Sequence, residues 1–395
     1  MDSNQTTDKN WRDVPIKEVL EFKTGKLDSN AAVRDGAYPF FTCSPKTLRI
    51  NSYEFDTEAV LLAGNNARGI FSVKYFSGKF NAYQRTYVIT PRNPEIIDCK
   101  FAYFQISHLT QKLRQHSIGT ATKFLTRKML DNVMISLPTI SEQQKIAFIL
   151  STVDDSVQKS DQIITKTKQL KKGLMQQLIT RGIGHTKFKQ TAVGEIPDAW
   201  EIFRLGDVAE SFGGATPSTN VSDYWNGAIP FVTPTDVTNL RGGNFLTSTK
   251  KSITKAGFNS ISAKCVPTGS VLVTSRATIG SCCINAIPAV TNQGFINLVC
   301  KNDLYNLFAL YLVRSLKREL ERLSDGSTFK ELARRSARKV MIPLPPLSEQ
   351  KKIASILSTL DDRIKTETQR NEELQRLKRG LANILLTGKV RVKVT

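Results

Sequence analysis

Two sets of short segments hold the side chains with which this chain could do chemistry. The first set is Gly64-Asn65-Asn66-Ala67-Arg68 and Tyr83-Gln84-Arg85, with Lys123 following Gly119-Thr120. The second is Thr274-Ser275-Arg276-Ala277-Thr278 and Asn292-Gln293, with Lys330 following Gly326-Ser327. Arg, Lys, Asn, Gln, Ser and Thr are the side chains that hydrogen-bond base edges in DNA, and any Lys or Arg can meet a phosphate. Turns also call for Asn and Gly, so each segment has a purely local reading as well. A formal net charge of +21, from 56 Lys and Arg against 35 Asp and Glu, favours a polyanionic partner over a mere aid to solubility.

Catalytic constellations are not expected. Asp154-Asp155 and Asp361-Asp362 are adjacent pairs on helical patterns, where neighbours point about 100° apart and cannot converge on one ion. They are expected to be exposed helix surface. The sequence contains no G-x-x-x-x-G-K-[ST] phosphate loop and no Asn- or Asp-Pro-Pro-aromatic tetrad of the adenine-methyltransferase kind. Six cysteines without a C-x-x-C pair, and His108, His116 and His185 at no zinc spacing, read as reduced thiols without a metal. No apolar run approaches the roughly 20 residues of a membrane span, and MDSNQTTDKNWRD lacks the apolar core of a signal peptide. The expectation is a cytoplasmic protein with no membrane partner.

The elements that must carry these segments are written twice. SEQQKIAFILSTVDD begins at Ser141 and SEQKKIASILSTLDD at Ser348, an offset of 207, with twelve of fifteen positions identical. So long a period implies two equivalent modules rather than a solenoid. Before each copy, VMISLP and VMIPLP read as strands stopped by proline. Ser141 and Ser348 are then expected as N-caps, with Gln144 completing a capping box in the first copy only, and Glu142 and Glu349 favoured by the helix dipole.

Helical periodicity continues for about forty residues in each copy. Ile146, Leu150, Val153, Val157, Ile164, Leu170, Leu174 and Leu178 form one stripe; Ile353, Leu357, Leu360, Ile364, Leu374, Leu377, Leu381 and Leu385 form the other. Ser160, Thr167, Glu367 and Asn371 weaken them midway, and Gly182 and Gly388 terminate them. Each helix would be about 60 Å long. A second module lying between the end of one helix and the start of the next is accommodated most simply by antiparallel pairing. Helical patterns also close the modules near 101–116 and 305–323, and short β-branched or aromatic runs make the rest strand-rich.

The predicted class is α+β: two strand-rich α/β recognition domains in pseudo-two-fold arrangement, separated by two long helices forming an antiparallel coiled coil. The boundaries read 1–136 for the first domain, 137–182 for its helix, 183–199 for a linker without periodicity, 200–343 for the second domain, 344–388 for its helix, and 389–395 for a tail. The chain resembles the specificity subunit of type I restriction–modification systems over essentially its whole length. The resemblance rests on LPTISEQQKIAFILSTVDD, LPPLSEQKKIASILSTLDD, GEIPDAW and GSVLVTSRATIG…TNQGF. It implies a non-catalytic subunit whose domains each read half of a bipartite, gapped site in double-stranded DNA. It also implies that the helices set the gap and dock two methyltransferase subunits, with restriction subunits in the full complex. No cofactor is expected in this chain; S-adenosylmethionine, ATP and Mg would belong to the partners. The other readings of the residues are a single-chain restriction–methylation enzyme and a coiled-coil DNA-binding scaffold.

Overall fold

The computed structural model describes residues 11–67, 69–325 and 330–393, which form two compact units. One is joined from both ends of the sequence, Met1–Asp161 with Gln369–Thr395; the other is the continuous stretch Gln162–Thr368. The architecture is mixed α/β.

In the first unit Arg12–Pro15 pairs antiparallel with Met134–Leu137, the apolar run that ends before Pro138. A six-stranded sheet runs Leu20–Thr24, Thr86–Pro91, Phe55–Ala63, Val73–Ala82, Tyr38–Phe41, Leu48–Ile50 in spatial order. Phe55–Ala63 is buried from Ala59 onward, as a central strand with a continuous apolar run should be. The helix Cys99–His116 is capped by Asp98, whose carboxylate accepts from Phe101 N at 2.7 Å.

The second unit repeats the plan. Glu201–Arg204 pairs antiparallel with Met341–Leu344. Its five-stranded sheet runs Ala209–Gly213, Phe295–Cys300, Val271–Thr274, Cys282–Asn285, Phe245–Leu246. A further sheet sets Trp225–Val232 between Lys251–Ile253 and Val290–Thr291. The closing helical pattern is broken at Leu316 into Asn306–Ser315 and Lys317–Arg322. The polar segment expected as linker holds a hairpin, Phe188–Thr191 with Gly194–Pro197. Its two-residue turn, Ala192-Val193, is followed at once by Gly194 at φ 101°, and its strands bury Ile196.

The long helices run Ile140–Arg181 and Leu347–Leu385. Each starts one residue before the expected cap, so Ser141 and Ser348 lie inside the first turn. The capping role falls two residues upstream of the serines: Thr139 Oγ1 accepts from Glu142 N at 3.4 Å, and the Pro346 carbonyl accepts from Glu349 N and Gln350 N at 2.9 and 3.0 Å. Gln144 is exposed and completes no box. The neighbouring glutamine does the anchoring instead. Gln143, fully buried, donates to Ile96 O and Pro138 O, both at 2.9 Å, and accepts from Asp98 N at 3.0 Å. Gln350 repeats these bonds 207 residues later with Asp303 O, Pro345 O and Tyr305 N. Gly182, at φ 65°, ends the first helix in the left-handed conformation that glycine adopts without strain.

Within each unit, halves of the two helices pack antiparallel. In the first, Lys378 pairs with Asp154, while Asn371 Nδ2 donates to Val157 O and Asp161 Oδ1, both at 3.1 Å. In the second, Lys171 pairs with Asp361, which also accepts from Tyr311 Oη at 2.7 Å and Asn244 Nδ2 at 3.2 Å. Asp154 and Asp361 are therefore not open helix surface: an aspartate facing a lysine across a packed pair is drawn into the seam, while Asp155 and Asp362 remain exposed. The stripes are corrected too. Leu170 and Leu377 are 54% and 50% exposed, whereas Ser160, Thr167 and Asn371 are buried. The seam follows the helix surface set by Lys171, Asp361 and Asn371, and the two leucines fall outside it.

Both helix ends enter the module cores. Ile146, Leu150, Leu385 and Leu386 share a cluster with Val60, Phe101 and Ile135; Leu178, Ile353 and Leu357 share one with Trp200, Phe308 and Ile342. Full burial of each such aliphatic side chain contributes about 1.5–3 kcal/mol.

Candidate nucleic-acid interface

In the first unit the strand Phe55–Ala63 runs out at Gly64, whose N–H donates to Arg85 O and whose carbonyl accepts from Leu125 N, both at 2.8 Å. Asn65 and Asn66 then pair antiparallel with Phe124 and Lys123. Tyr87 Oη donates to Leu125 O at 2.9 Å, and the Arg85 guanidinium lies 5.7 Å from the centre of the Phe124 ring. Three segments spread over some sixty residues of sequence thus meet: 64–66, 83–85 and 123–125. A Cβ on Gly64 would lie 2.5 Å from Arg85 O, so the approach itself requires glycine.

Asn65, Asn66, Arg85 and Lys123 are brought together here. Tyr83 and Gln84 share the turn, but the Gln84 amide donates to Asp28 at 3.2 Å. Arg68 lies outside the described residues, as do Gly326 and Ser327. Arg114, not singled out by its sequence, joins the cluster: Gly69 sits against the stems of Arg114 and Lys123. As one of several cations near the end of an amphipathic helix, it carried no distinguishing local signal.

The second unit builds the same junction. Ser275 N donates to Gly294 O at 2.8 Å and Ser275 O accepts from Leu332 N at 2.9 Å. Arg276 bridges Glu331 as Asn65 pairs Phe124, and Asp325 bridges Glu331 as Ile118 bridges Phe124. Arg276, Thr278, Asn292, Gln293 and Lys330 lie on the three segments that meet. Arg276, Gln293 and Lys330 are exposed, with Arg276 Nε 2.9 Å from Glu331 Oε1. Asn292 Oδ1 accepts from Gly294 N at 3.0 Å, and Gln293 accepts from Thr216, which sequence reasoning missed.

Thr274 and Ser275 correct the expectation that their hydroxyls face outward. They are 0% and 2% exposed, and Thr274 Oγ1 is bonded to Thr278 O and Ser281 O. Their position at the end of a central strand turns both side chains into the base of the turn. Arg334, Arg335, Arg338 and Lys339 form an exposed basic run on and just after the short helix Arg334–Arg338. Nearby thiols are inert packing: burial pushes Cys282 and Cys283 up to about 11 and about 12.

Comparison with known proteins agrees with this doubled plan. The family described as "Type I restriction modification DNA specificity domain" matches residues 8–169 and 197–376. The EcoDI type I restriction enzyme specificity subunit of Escherichia coli is 27% identical over 402 residues, covering 95% of this chain and 87% of that protein. The MjaIX specificity subunit of Methanocaldococcus jannaschii is 38% identical over 194 residues, 49% of this chain and 45% of its own length. In fold, the chain resembles the crystal structure of a type I restriction–modification S subunit from M. genitalium. That match has a TM-score of 0.67 at 17% identity and covers 99% of this chain and 98% of the other.

Proposed function

This chain belongs to the type I restriction modification DNA specificity family, and we propose from that premise that it is the non-catalytic subunit that selects the DNA target. Each unit reads one half of a bipartite, gapped site in double-stranded DNA. The observation that carries this is the duplicated junction. The same backbone bonds, Gly64 with Arg85 and Leu125, and Ser275 with Gly294 and Leu332, present different side chains. One scaffold with two sets of reading groups suits two unlike half-sites.

On this reading base and phosphate contacts come from Asn65, Asn66, Arg68, Tyr83, Gln84, Arg85 and Lys123 in the first domain. In the second they come from Arg276, Thr278, Asn292, Gln293 and Lys330, with Thr274 and Ser275 supporting the turn. The domains divide at 1–136 and 200–343, with the long helices between them. Those helices set the gap as an antiparallel pair and dock two methyltransferase subunits. Restriction subunits join the full complex in the cytoplasm, and S-adenosylmethionine, ATP and Mg are bound by the partners.

The test is methylated-adenine mapping in cells that express a partner methyltransferase with and without this chain. A two-part motif with a fixed gap, present only with the chain, is the expected result. Methyl transfer from labelled S-adenosylmethionine by the purified chain alone would overturn the reading.

A further inference from the structure

We propose that Arg276 reads a guanine in the half-site of the second domain, and that Glu331 is its positioning residue. The inference rests on the DNA-reading function above and assigns chemistry within it.

Arg276 stands at the tip of a turn that is fixed from every side. Behind it, the Ser275 backbone is held by Gly294 and Leu332. After it, Ala277 adopts φ 55°, a left-handed conformation uncommon for a residue with a side chain, and Thr278 N closes back on Arg276 O at 2.6 Å. The buried Thr274 hydroxyl accounts for the turn's inner carbonyls, Thr278 O and Ser281 O. Such strain persists only where surrounding contacts over-determine it, and it clusters where a side chain must be presented in one geometry.

Glu331 is fixed as firmly. Its N–H donates to Asp325 O at 2.9 Å and its carbonyl accepts from Asp325 N at 3.1 Å. Its carboxylate meets Arg276 at Nε, and no hydrogen bond among the described residues engages the Nη pair. A guanidinium ion-paired at its Nε edge with a carboxylate keeps the two parallel N–H donors of its Nη groups, the complement of guanine O6 and N7 in the major groove. A carboxylate so close would be counterproductive beside a phosphate, which it repels.

The first unit argues that this pair is not there for folding. The bridge equivalent to Arg276 with Glu331 is Asn65 with Phe124, and the residue matching Asp325 is Ile118. Among the described residues, the positions that bridge this backbone junction, Asn65, Phe124 and Ile118, carry no charge. The charged pair is an addition peculiar to the second domain, on an exposed surface where an ion pair contributes little stability.

The experiment uses the complete methyltransferase complex and genome-wide mapping of methylated adenine. Wild type must first yield a two-part motif; failure there would sink the DNA-selection reading itself rather than the role of Arg276. Given the motif, Arg276→Ala relaxes one G·C position in one half about tenfold or more, with the other half unchanged. Glu331→Gln relaxes the same position more weakly. Arg276→Lys, which keeps charge but lacks the fork, relaxes it too, and decides the case if the alanine variant loses all methylation. Uniformly weaker methylation with an intact motif would mean a phosphate contact and overturn the proposal. So would relaxation at an A·T position, or no change.

Discussion

The indole N–H of Trp200 donates to Glu349 Oε2 at 3.0 Å, joining the first residue of the second module to the first turn of the helix that ends it. The other carboxylate oxygen accepts from Ile183 N and lies 2.9 Å from His185 Nε2, just beyond the end of the other long helix. Glu142 repeats the arrangement with Trp11 at 3.3 Å, Arg391 and Val392 N. One glutamate per unit therefore gathers the start of a module, the start of its helix and the chain leaving the opposite helix.

Removing that joint should be costly. Glu349→Ala leaves the Trp200 and Ile183 donors without their acceptor, and we expect the second unit to lose about 3 kcal/mol. Glu349→Gln, which still accepts, should lose clearly less. Urea unfolding followed by tryptophan fluorescence distinguishes the two; equal losses would refute the acceptor role.

Glu142 makes the first unit acid-sensitive. Burial pushes its carboxyl up, but Arg391, the Val392 N–H and the Trp11 indole together outweigh burial and hold it below the ordinary carboxylate range. Because the folded state binds the proton less readily than the unfolded one, this contribution is full above the unfolded value of about 4.3 and is lost as pH falls through the lowered folded value. Unfolding midpoints of wild type and Glu142→Gln should therefore differ at pH 7 and converge below pH 4. A constant difference would contradict the linkage.

The pair Lys171–Asp361 invites a double-mutant cycle. Asp361→Ala leaves the partly buried Lys171 and the fully buried Tyr311 without their partner and should cost about 3–5 kcal/mol. Lys171→Met combined with Asp361→Leu should recover part of that loss, because Lys171 no longer stands uncompensated while Arg314, 3.9 Å from the Asp361 carboxylate, keeps its charge. Strictly additive single and double mutants would show that the pair is not coupled.

Gly64→Ala tests the first junction. Its Cβ would stand 2.5 Å from the Arg85 carbonyl, so the turn carrying Arg85 must shift. Recognition of one half-site should loosen while the other stays sharp, read by methylation mapping. Loss confined to overall expression would argue for a purely structural glycine.

The basic run Arg334–Arg335 should supply sequence-independent affinity. Changing both to glutamine should flatten the slope of log K against log salt by about 2, nearly one unit per phosphate contact, with the motif unchanged. An unaltered slope would mark them as solvated surface.

The duplication at an offset of 207, the two long helices and the Leu-Pro strand ends are legible in the sequence alone. All are written in local periodicity, in proline and glycine, or in plain repetition. What it could not decide were relations between residues far apart in the chain. The Glu of each SEQ string joins Trp11 or Trp200, the Gln ties helix to module, and Asp154 and Asp361 face lysines. Leu170 and Leu377 lie outside a seam that buries Ser160 and Asn371. A stripe drawn on one helix cannot say which of its edges meets the partner, since packing is settled by the facing surface. Thr274 and Ser275 show the same limit: both are buried, and the Thr274 hydroxyl is consumed by carbonyls that come near only when the strand has turned. Tertiary structure, not residue type, decided which polar groups remained free.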